Sequence, residues 1–331
     1  MNITDFTIDH INAAMVIAKE NYEEERAQVP VLPGIQELPD LAEFVEYGLG
    51  VSAFENDRMV GYLCAWPPRR DAFGTTGVSG TFVPIHAHGV AHDITGSGRE
   101  RIYSRMYQAA AEKWVKKGIL SHGISLYTHD TAAIKSFFYN GFGLRCIDAI
   151  RTLEELPVRE VILPGQGKTL DYVEIPRNEW VLLLEHHKAL IAHLGRSPIF
   201  MTFPTMAIED LYDRTNEDTR YFTAKADSQY IAYIKLDQEG ETFVSDDHSM
   251  MNINGAYCLP EYRGLGIYQN LLSFMISTLR EEGYTRLGVD CESFNPTARG
   301  FWLKHFTEYT HSVVRRIDDK AISAMNSNNY E

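Results

Sequence analysis

The stretch that decides the fold is LPEYRGLGIYQNLL, residues 259–272, in which an arginine and two glycines stand directly before an apolar helical pattern. Glycines let backbone amides approach a ligand closely, and a helix N-terminus carries about half a positive charge. Such a turn can bind a phosphate group without a metal ion. An isolated pattern of this kind is also common in surface turns, so its meaning depends on the flanking sequence.

The residues around the turn predict the order strand, strand, glycine turn, helix, strand, helix. Residues 221–236 and 250–259 have the character of hairpin strands. Apolar residues then recur at helical spacing up to Leu279, and Gly283 stands where a helix commonly ends. In residues 284–302, alternating apolar residues predict a half-buried strand that is followed by a short helix.

The first half of the chain predicts the same order of elements. Residues 50–66 read as a strand pair, residues 99–118 as a helix, and residues 122–143 as a strand with a short helix. One ungapped offset of 165 positions aligns identical residues in the two halves, namely Ile102 with Ile267, Tyr103 with Tyr268, Gly118 with Gly283, Ala133 with Ala298 and Arg151 with Arg316. We interpret this agreement as two copies of one α+β unit.

The second half resembles the GCN5-related N-acetyltransferase (GNAT) superfamily. Residues 258–266 carry its P-x-x-R-G-x-G motif, with Cys258 at the position of the family's valine. Residues 287–302 carry the strand and the N-x-x-A-x-x-F-aromatic motif that follow it. The resemblance covers most of residues 200–316 and, more faintly, residues 50–152.

The resemblance implies an α+β (α/β) fold of two tandem GNAT-type domains. Each domain would have a mixed, mostly antiparallel sheet with helices on both faces and a V-shaped opening between two strands. We place the first domain at residues 1–155 and the second at residues 156–331, with a connector near residues 156–170 where Pro157, Pro164, Gly165 and Gly167 cluster.

The resemblance further implies that acetyl-CoA binds in the opening of the second domain. Backbone groups at the end of the first motif strand would bind the pantetheine arm, and amides of the glycine turn would bind the pyrophosphate. Arg263 could add a charged hydrogen bond, and Asn295 would contact the arm or hold the following helix. The implied cofactor residues are Cys258, Leu259, Arg263, Gly264, Leu265, Gly266, Ile267, Tyr268 and Asn295.

Two positions depart from the family pattern. Tyr268 stands where the family has a small residue, so its ring must point away from the phosphates or alter their site. Trp302 stands where the family often has a tyrosine that protonates the departing thiolate. Since the indole cannot donate that proton readily, an acid would have to come from elsewhere, and Tyr257 and Tyr309 are candidates.

The first copy lacks the glycine turn. At the offset of 165, residues 263–266 correspond to Gly98-Arg99-Glu100-Arg101, so Arg101 replaces a glycine and Glu100 would repel an anion. We therefore expect only the second domain to bind acetyl-CoA. The first domain would line the acceptor pocket or mediate dimerisation.

Transfer of an acetyl group to an amine needs a base and a polarised carbonyl. The resemblance assigns the carbonyl to a backbone amide near Leu259. The family's base position falls at Asn252 and Asn254, which cannot accept a proton. The remaining candidates for the base, in order of preference, are Glu292, Asp290 and His248.

Composition excludes several classes of function. A net charge of −14 over 331 residues argues against a nucleic-acid surface and mildly favours an amine partner. Four widely spaced cysteines and three alternating histidines, His86, His88 and His92, do not form a metal-binding pattern. The N-terminus has no signal-peptide pattern, and no apolar run reaches the roughly 18 residues of a membrane span. We therefore expect a cytoplasmic protein, with a homodimer as one option and no membrane partner.

Three functions remain at this point. The leading one is acetyl-CoA-dependent N-acetylation of the primary amine of a small molecule or an aminoacyl compound. The second is a non-catalytic module that binds acyl-CoA, which the absence of a base at Asn252 and Asn254 would favour. The third is the transfer of another acyl group, or transfer to another acceptor, on the same fold.

Overall fold

The computed structural model describes residues 1–35, 37–164, 168–203 and 215–322. The connector glycines Gly165 and Gly167 lie outside the described residues. The chain divides into two compact units, of which unit 1 comprises residues 1–148 with the chain from Glu308 onward, and unit 2 comprises residues 149–307. Among the described residues of both units, no helix is long and apolar enough to cross a membrane.

Unit 1 contains two groups of paired strands. Its strands are β1 (Asn2–Asp5), β2 (Val51–Glu55), β3 (Arg58–Leu63), β4 (Arg69–Arg70), β5 (Ser79–Val83), β6 (His88–Val90) and β7 (Ile119–Tyr127). Its helices are α1 (Ile11–Gln28), α2 (Ala42–Tyr47), α3 (Gly96–Lys116) and α4 (Thr131–Tyr139). β8 (Gly143–Thr152) runs through the boundary between the units. The strand order is β1-β2-β3-β6 in one group, and β4, β5 and β7 follow one another in the other.

Unit 2 has one mixed sheet. Its strands are β9 (Leu170–Ile175), β10 (Arg220–Ala226), β11 (Gln229–Asp237), β12 (Met250–Cys258) and β13 (Arg286–Glu292), and its helices are α5 (Leu184–Leu194), α6 (Ile267–Glu281) and α7 (Pro296–Trp302). The order in the sheet is β13-β12-β11-β10-β9. β12 and β13 are parallel, whereas the other pairs are antiparallel. The predicted α+β class and the predicted order of elements around the glycine turn are confirmed.

The end of the chain departs from the predicted domain boundary. β14 (Thr307–Arg316) pairs antiparallel with β7, from Thr310↔Tyr127 to Arg316↔Ser121. This ladder gives the strand its hydrogen-bond partners in unit 1, so the described residues from 308 on group with that unit. This grouping differs from the predicted second domain, residues 156–331, for β14.

The two units share local features at the predicted offset. Gly118 and Gly283 follow α3 and α6 with φ of 75° and 96°, the left-handed conformation that glycine adopts without strain. Asp130 accepts a hydrogen bond from the amide of Ala133 at 2.9 Å, and Asn295 accepts one from the amide of Ala298 at 3.3 Å. These matching helix ends and caps support the interpretation of the sequence as a duplication.

The segment of unit 1 that corresponds to the glycine turn is helical. α3 begins at Gly96, five residues before Arg101, so residues 98–101 lie inside the helix and form no turn. The side chain of Arg101 is 67% exposed and approaches Glu55 at 3.5 Å. Residues 98–101 thus do not correspond in structure to the glycine turn with which the ungapped offset aligns them, and the buried arginine of this segment is Arg99.

Arg99 joins the end of β6 to the cap of α4. Its Nη1 donates to the carbonyl of Val90 at 3.0 Å, and its Nη2 lies 2.7 Å from Asp130 Oδ2. Tyr103 donates to the same carboxylate oxygen at 2.9 Å, and Asn21 of α1 hydrogen-bonds the guanidinium. Burial would raise the pKa of Asp130, but the hydrogen bond and charge of Arg99 hold that pKa below its usual value.

The three alternating histidines of unit 1 differ in their surroundings. Burial lowers the pKa of His86 and of His88 to about 4, and His88 Nε2 lies 2.6 Å from the carbonyl of Ser125. His92 is exposed and lies 3.0 Å from Glu20. Across the described ranges, no group of three or more His, Cys, Asp or Glu residues is arranged to hold a metal ion.

We predict that Asp130→Asn lowers the free energy of unfolding by about 3 kcal/mol, because the amide can still cap α4 but leaves the buried Arg99 charge unpaired. Asn295→Ala, at the same cap position of unit 2, should cost only about 1 kcal/mol. Since the pKa of Asp130 is depressed in the folded state, its stabilisation is present above the unfolded pKa of about 3.9 and is lost as pH falls through the folded value. Urea unfolding at pH 7 and pH 3 measures both effects, and equal losses for the two variants would contradict the account.

Candidate active site

The site begins where β12 leaves its parallel neighbour. The β12–β13 ladder runs from Met250↔Arg286 to Ile253↔Val289, and β12 continues for five more residues. On its other side β12 remains paired with β11, with a register shift that leaves Asn254 as an extra residue. A bulge of this kind bends a strand and changes the direction of the groups that follow it.

The bulge also determines which amides face the gap. The amide of Leu259 donates to the carbonyl of Ile231 on β11 at 2.9 Å. Because successive residues of a strand point their amides to opposite edges, the amide of Cys258 faces away from β11. The Cys258 carbonyl accepts from Arg263 Nε at 2.9 Å. The Leu259 amide, which we expected to polarise the carbonyl, is thus already hydrogen-bonded within the sheet, and the Cys258 amide is a second candidate for that role.

The glycine turn connects β12 to α6. Gly264 and Gly266 have φ of 77° and 87°, and Gly266 is the residue that caps the N-terminus of α6. Arg263 lies with its guanidinium carbon 5.2 Å from the centre of the Tyr257 ring. A Cβ on Gly264 would have no heavy atom within 4 Å, so the turn exposes its backbone on that side.

A cavity of about 290 Å³ adjoins these elements within unit 2. Helix α5, the end of β12, the glycine turn and α7 all contribute to its wall. The lining residues are Leu190, His193, Ala256, Tyr257, Cys258, Arg263, Gly264, Tyr268, Asn295, Thr297, Ala298, Phe301 and Trp302.

Five of the predicted cofactor residues line this cavity, namely Cys258, Arg263, Gly264, Tyr268 and Asn295. The other four, Leu259, Leu265, Gly266 and Ile267, are not part of its wall. Gly266 nevertheless sets the start of α6, while Ile267 is fully buried beneath it. The motif residues thus border one cavity in part, and their contacts with a cofactor stay predictions.

The two residues that depart from the family pattern, Tyr268 and Trp302, pack against each other. The Tyr268 ring packs edge-on against Phe301 at 5.0 Å and against Trp302 at 5.9 Å between ring centres. Its hydroxyl donates to the carbonyl of Tyr233 at 3.3 Å, and burial raises its pKa well above the usual value. The large ring therefore forms part of the wall on the side of α7.

The structure does not bring the predicted bases to the cavity. Asp290 and Glu292 lie on β13 and are not in the cavity wall. His248 precedes β12, so it lies about 30 Å along the strand from Cys258. His248 is also exposed and lies 3.0 Å from Gln238. None of the three predicted bases is among the lining residues of this cavity, and their roles stay predictions.

His193 is the histidine of the cavity wall. It stands in the last turn of α5, and its Nε2 lies 3.4 Å from the hydroxyl of Thr297. Burial lowers its pKa below 6.5, and so does the charge of Arg263, whereas a hydrogen bond with Asn295 raises it. At neutral pH the imidazole is therefore unprotonated and can accept a proton.

Sequence reasoning missed His193 because α5 carries no motif. Besides His193, the helix contains four polar or charged residues, two of them histidines. Nothing in the sequence pattern indicates which of the five faces a site. The only available signal was the order of elements, since α5 precedes the sheet strands that carry the glycine turn.

The thiol of Cys258 is not suited to act as a nucleophile. It is 9% exposed, and burial raises its pKa to about 11. The thiolate is the reactive form of cysteine, and almost none is present at neutral pH. The structure therefore gives no support to a covalent intermediate on this residue.

Comparisons with known proteins address the fold and the family. Residues 187–306 match the model of the acetyltransferase (GNAT) family. A search of the curated proteins gave no match. The chain is similar to a solved GCN5-related N-acetyltransferase from Sphaerobacter thermophilus, with 14% identity, 95% of each chain covered and a TM-score of 0.56.

Two further solved structures are similar at lower scores. A GCN5-related N-acetyltransferase from Anabaena variabilis has 14% identity and a TM-score of 0.42, with 96% of this chain and 73% of that chain covered. A tandem GNAT protein from the clavulanic acid biosynthesis pathway has 12% identity and a TM-score of 0.45, with 95% and 98% covered. At these identities, the similarity to the Sphaerobacter protein concerns the fold alone.

Proposed function

Residues 187–306 are a domain of the GNAT superfamily, and from this premise we propose that the protein transfers an acetyl group from acetyl-CoA to the primary amine of a small molecule or an aminoacyl compound. The observation that carries the proposal is the cavity of about 290 Å³ between β12 and α7. One wall of this cavity is the end of β12, whose edge is no longer paired with β13, and another is the turn that begins α6. A ligand with an amide-containing arm and a phosphate group fits these two surfaces.

Each part of acetyl-CoA would use a different backbone surface. The pantetheine arm would lie along the free edge of β12, where its amides can pair with the backbone as an added strand does. The amides of residues 264–268 would bind the pyrophosphate at the start of α6. The thioester carbonyl would accept from the amide of Cys258, which faces the gap.

An acceptor ammonium loses two protons, one before and one after it attacks. The neutral amine nitrogen attacks the thioester carbon, a C–N bond forms, and the C–S bond breaks. The second proton then leaves the nitrogen as the thiolate is protonated, and it restores the group that donated to the thiolate. His193 would accept the proton from the acceptor ammonium, since its imidazole is unprotonated at neutral pH. Tyr257 is the candidate for protonating the thiolate, because it lines the cavity whereas the Tyr268 hydroxyl already donates to Tyr233.

The net charge of the chain favours a cationic acceptor over an anionic one. The chain carries a net charge of −14, and an acidic protein attracts cationic small molecules. Amines that are ammonium ions at neutral pH are therefore the acceptors to test first.

We predict that acetyl-CoA and a panel of primary amines release free CoA thiol in the presence of the intact protein. Thiol-reactive dye measures the rate, and mass spectrometry identifies the acetylated amine. Matched alcohols and thiols, and propionyl- or succinyl-CoA as alternative donors, serve as controls. Acetyl-CoA binding without thiol release on any acceptor would favour a non-catalytic module, and faster release from another donor would favour a different acyl group.

We predict that His193→Gln lowers kcat by about 10²–10⁴-fold, the usual contribution of a general base. In the wild type, kcat should fall as pH decreases through the pKa of His193, which lies below 6.5, because a protonated imidazole cannot accept the proton. This limb of the pH profile should disappear in the variant. His186→Gln makes the same change in α5 outside the cavity wall and should leave kcat unchanged. An unaltered pH profile in His193→Gln would exclude this residue as the base.

A further inference from the structure

Four basic residues share one neighbourhood of unit 2, although the chain as a whole is strongly acidic. They are Arg151, Arg159, Lys304 and His305, and we call them the basic cluster. None of them belongs to the glycine turn or to the cavity wall. The cluster lies beside the start of α6, where Arg159 hydrogen-bonds residues of the first helical turn.

Arg159 is fixed against the glycine turn by hydrogen bonds to α6. Its amide donates to Asn270 Oδ1 at 2.8 Å, and its carbonyl accepts from Asn270 Nδ2 at 2.8 Å. Its Nε donates to Gln269 Oε1 at 2.7 Å. The Cβ and Cδ of Arg159 lie 3.1 and 3.2 Å from the point that a Cβ of Gly266 would occupy. The connector therefore holds a cation directly beside the N-terminus of α6.

Arg151 is buried, and one nitrogen of its guanidinium has no hydrogen-bond partner among the described residues. It is 9% exposed, and its Nε and Nη2 donate to the carbonyls of Thr152 and Glu154, both at 2.8 Å. Its Nη1 is buried and has no hydrogen-bond partner in the described part of the chain. The guanidinium carbon lies 5.7 Å from the centre of the Phe306 ring. A buried donor without a partner costs free energy, and an anion would supply the missing acceptor.

His305 links the two arginines to the cavity. Its ring centre lies 5.0 Å from that of Phe301, which lines the cavity and packs on Tyr268 at 5.0 Å. Burial lowers the pKa of His305, and the charges of Arg151, Lys304 and Arg159 lower it further. Three cationic side chains thus lie close enough to His305 to disfavour its protonation, and among the described residues no carboxylate forms an ion pair with any of the four.

We propose that the basic cluster binds the ribose 3′-phosphate of coenzyme A, and that the protein distinguishes CoA from its 3′-dephospho form through these residues. The inference rests on the proposed function. In the proposed function, the amides at the start of α6 bind the pyrophosphate. The basic side chains of the cluster therefore remain available to bind a second phosphate group. A phosphate monoester carries a charge of about −2 and three acceptor oxygens, which matches a site that offers several charged donors.

Calorimetric titration of the intact protein with CoA and with 3′-dephospho-CoA tests the proposal. The wild type should bind CoA at least about tenfold more tightly than dephospho-CoA, the effect of one or more charge-assisted hydrogen bonds. In Arg159→Gln and in Lys304→Gln, this ratio should fall to within about threefold, with affinity for dephospho-CoA unchanged. Both side chains are exposed, and thermal melts check that the variants fold.

Arg280→Gln is the control, because it removes the same charge at a distant position. Arg280 stands about 20 Å further along α6 and forms an ion pair with Glu155. It should keep the wild-type ratio. Equal binding of CoA and dephospho-CoA by the wild type would overturn the inference and leave the proposed function intact. Equal weakening of both ligands in Arg159→Gln would also overturn it, since that residue would then contact the pyrophosphate. Failure of both ligands to bind would overturn the proposed function as well.

Discussion

The candidate site depends on a single irregularity, the extra residue at Asn254 in β12. The bulge keeps β12 paired with β11 while its ladder with β13 stops at Ile253↔Val289. Without it, β12 would continue beside β13, and its last backbone groups would be used within the sheet. The gap, the free edge at Cys258 and the position of the turn before α6 all follow from this change of direction.

The corresponding helix caps of the two units differ in charge. In unit 2 the cap of α7 is the neutral Asn295, which borders the cavity. In unit 1 the cap of α4 is Asp130, whose charge pairs with the buried Arg99. Arg99 also donates to the carbonyl of Val90 at the end of β6. A buried ion pair of this kind is costly to break, so Asp130 and Arg99 stabilise unit 1 at the position where unit 2 has a cavity.

Much of this arrangement was predictable from the sequence. The glycines at 264 and 266, the helix to Leu279 and the cap at Asn295 follow local rules for turns and helix ends. The patterns of residues 99–118 and 122–143 likewise predicted α3 with its C-terminal end and α4, and the offset of 165 residues relates them to α6 and α7.

The rest could not be predicted because it depends on contacts between distant residues. The start of α3 at Gly96 removes the turn from unit 1, although the ungapped alignment placed residues 98–101 there. One extra residue in β12 reverses which amides face the gap, so Leu259 was chosen in place of Cys258. His193 reaches the site only through the packing of α5, and β14 joins unit 1 through its ladder with β7.

The measurement that tests the central claim most directly is the stoichiometry of acetyl-CoA binding to the intact protein, by calorimetry. The account predicts one site per chain, which Gly266→Arg abolishes because that position has φ of 87° and lies against Arg159. A thermal melt of the variant confirms that the chain remains folded. Two sites per chain, or one site that survives in a folded Gly266→Arg variant, would contradict the assignment of the cofactor to unit 2.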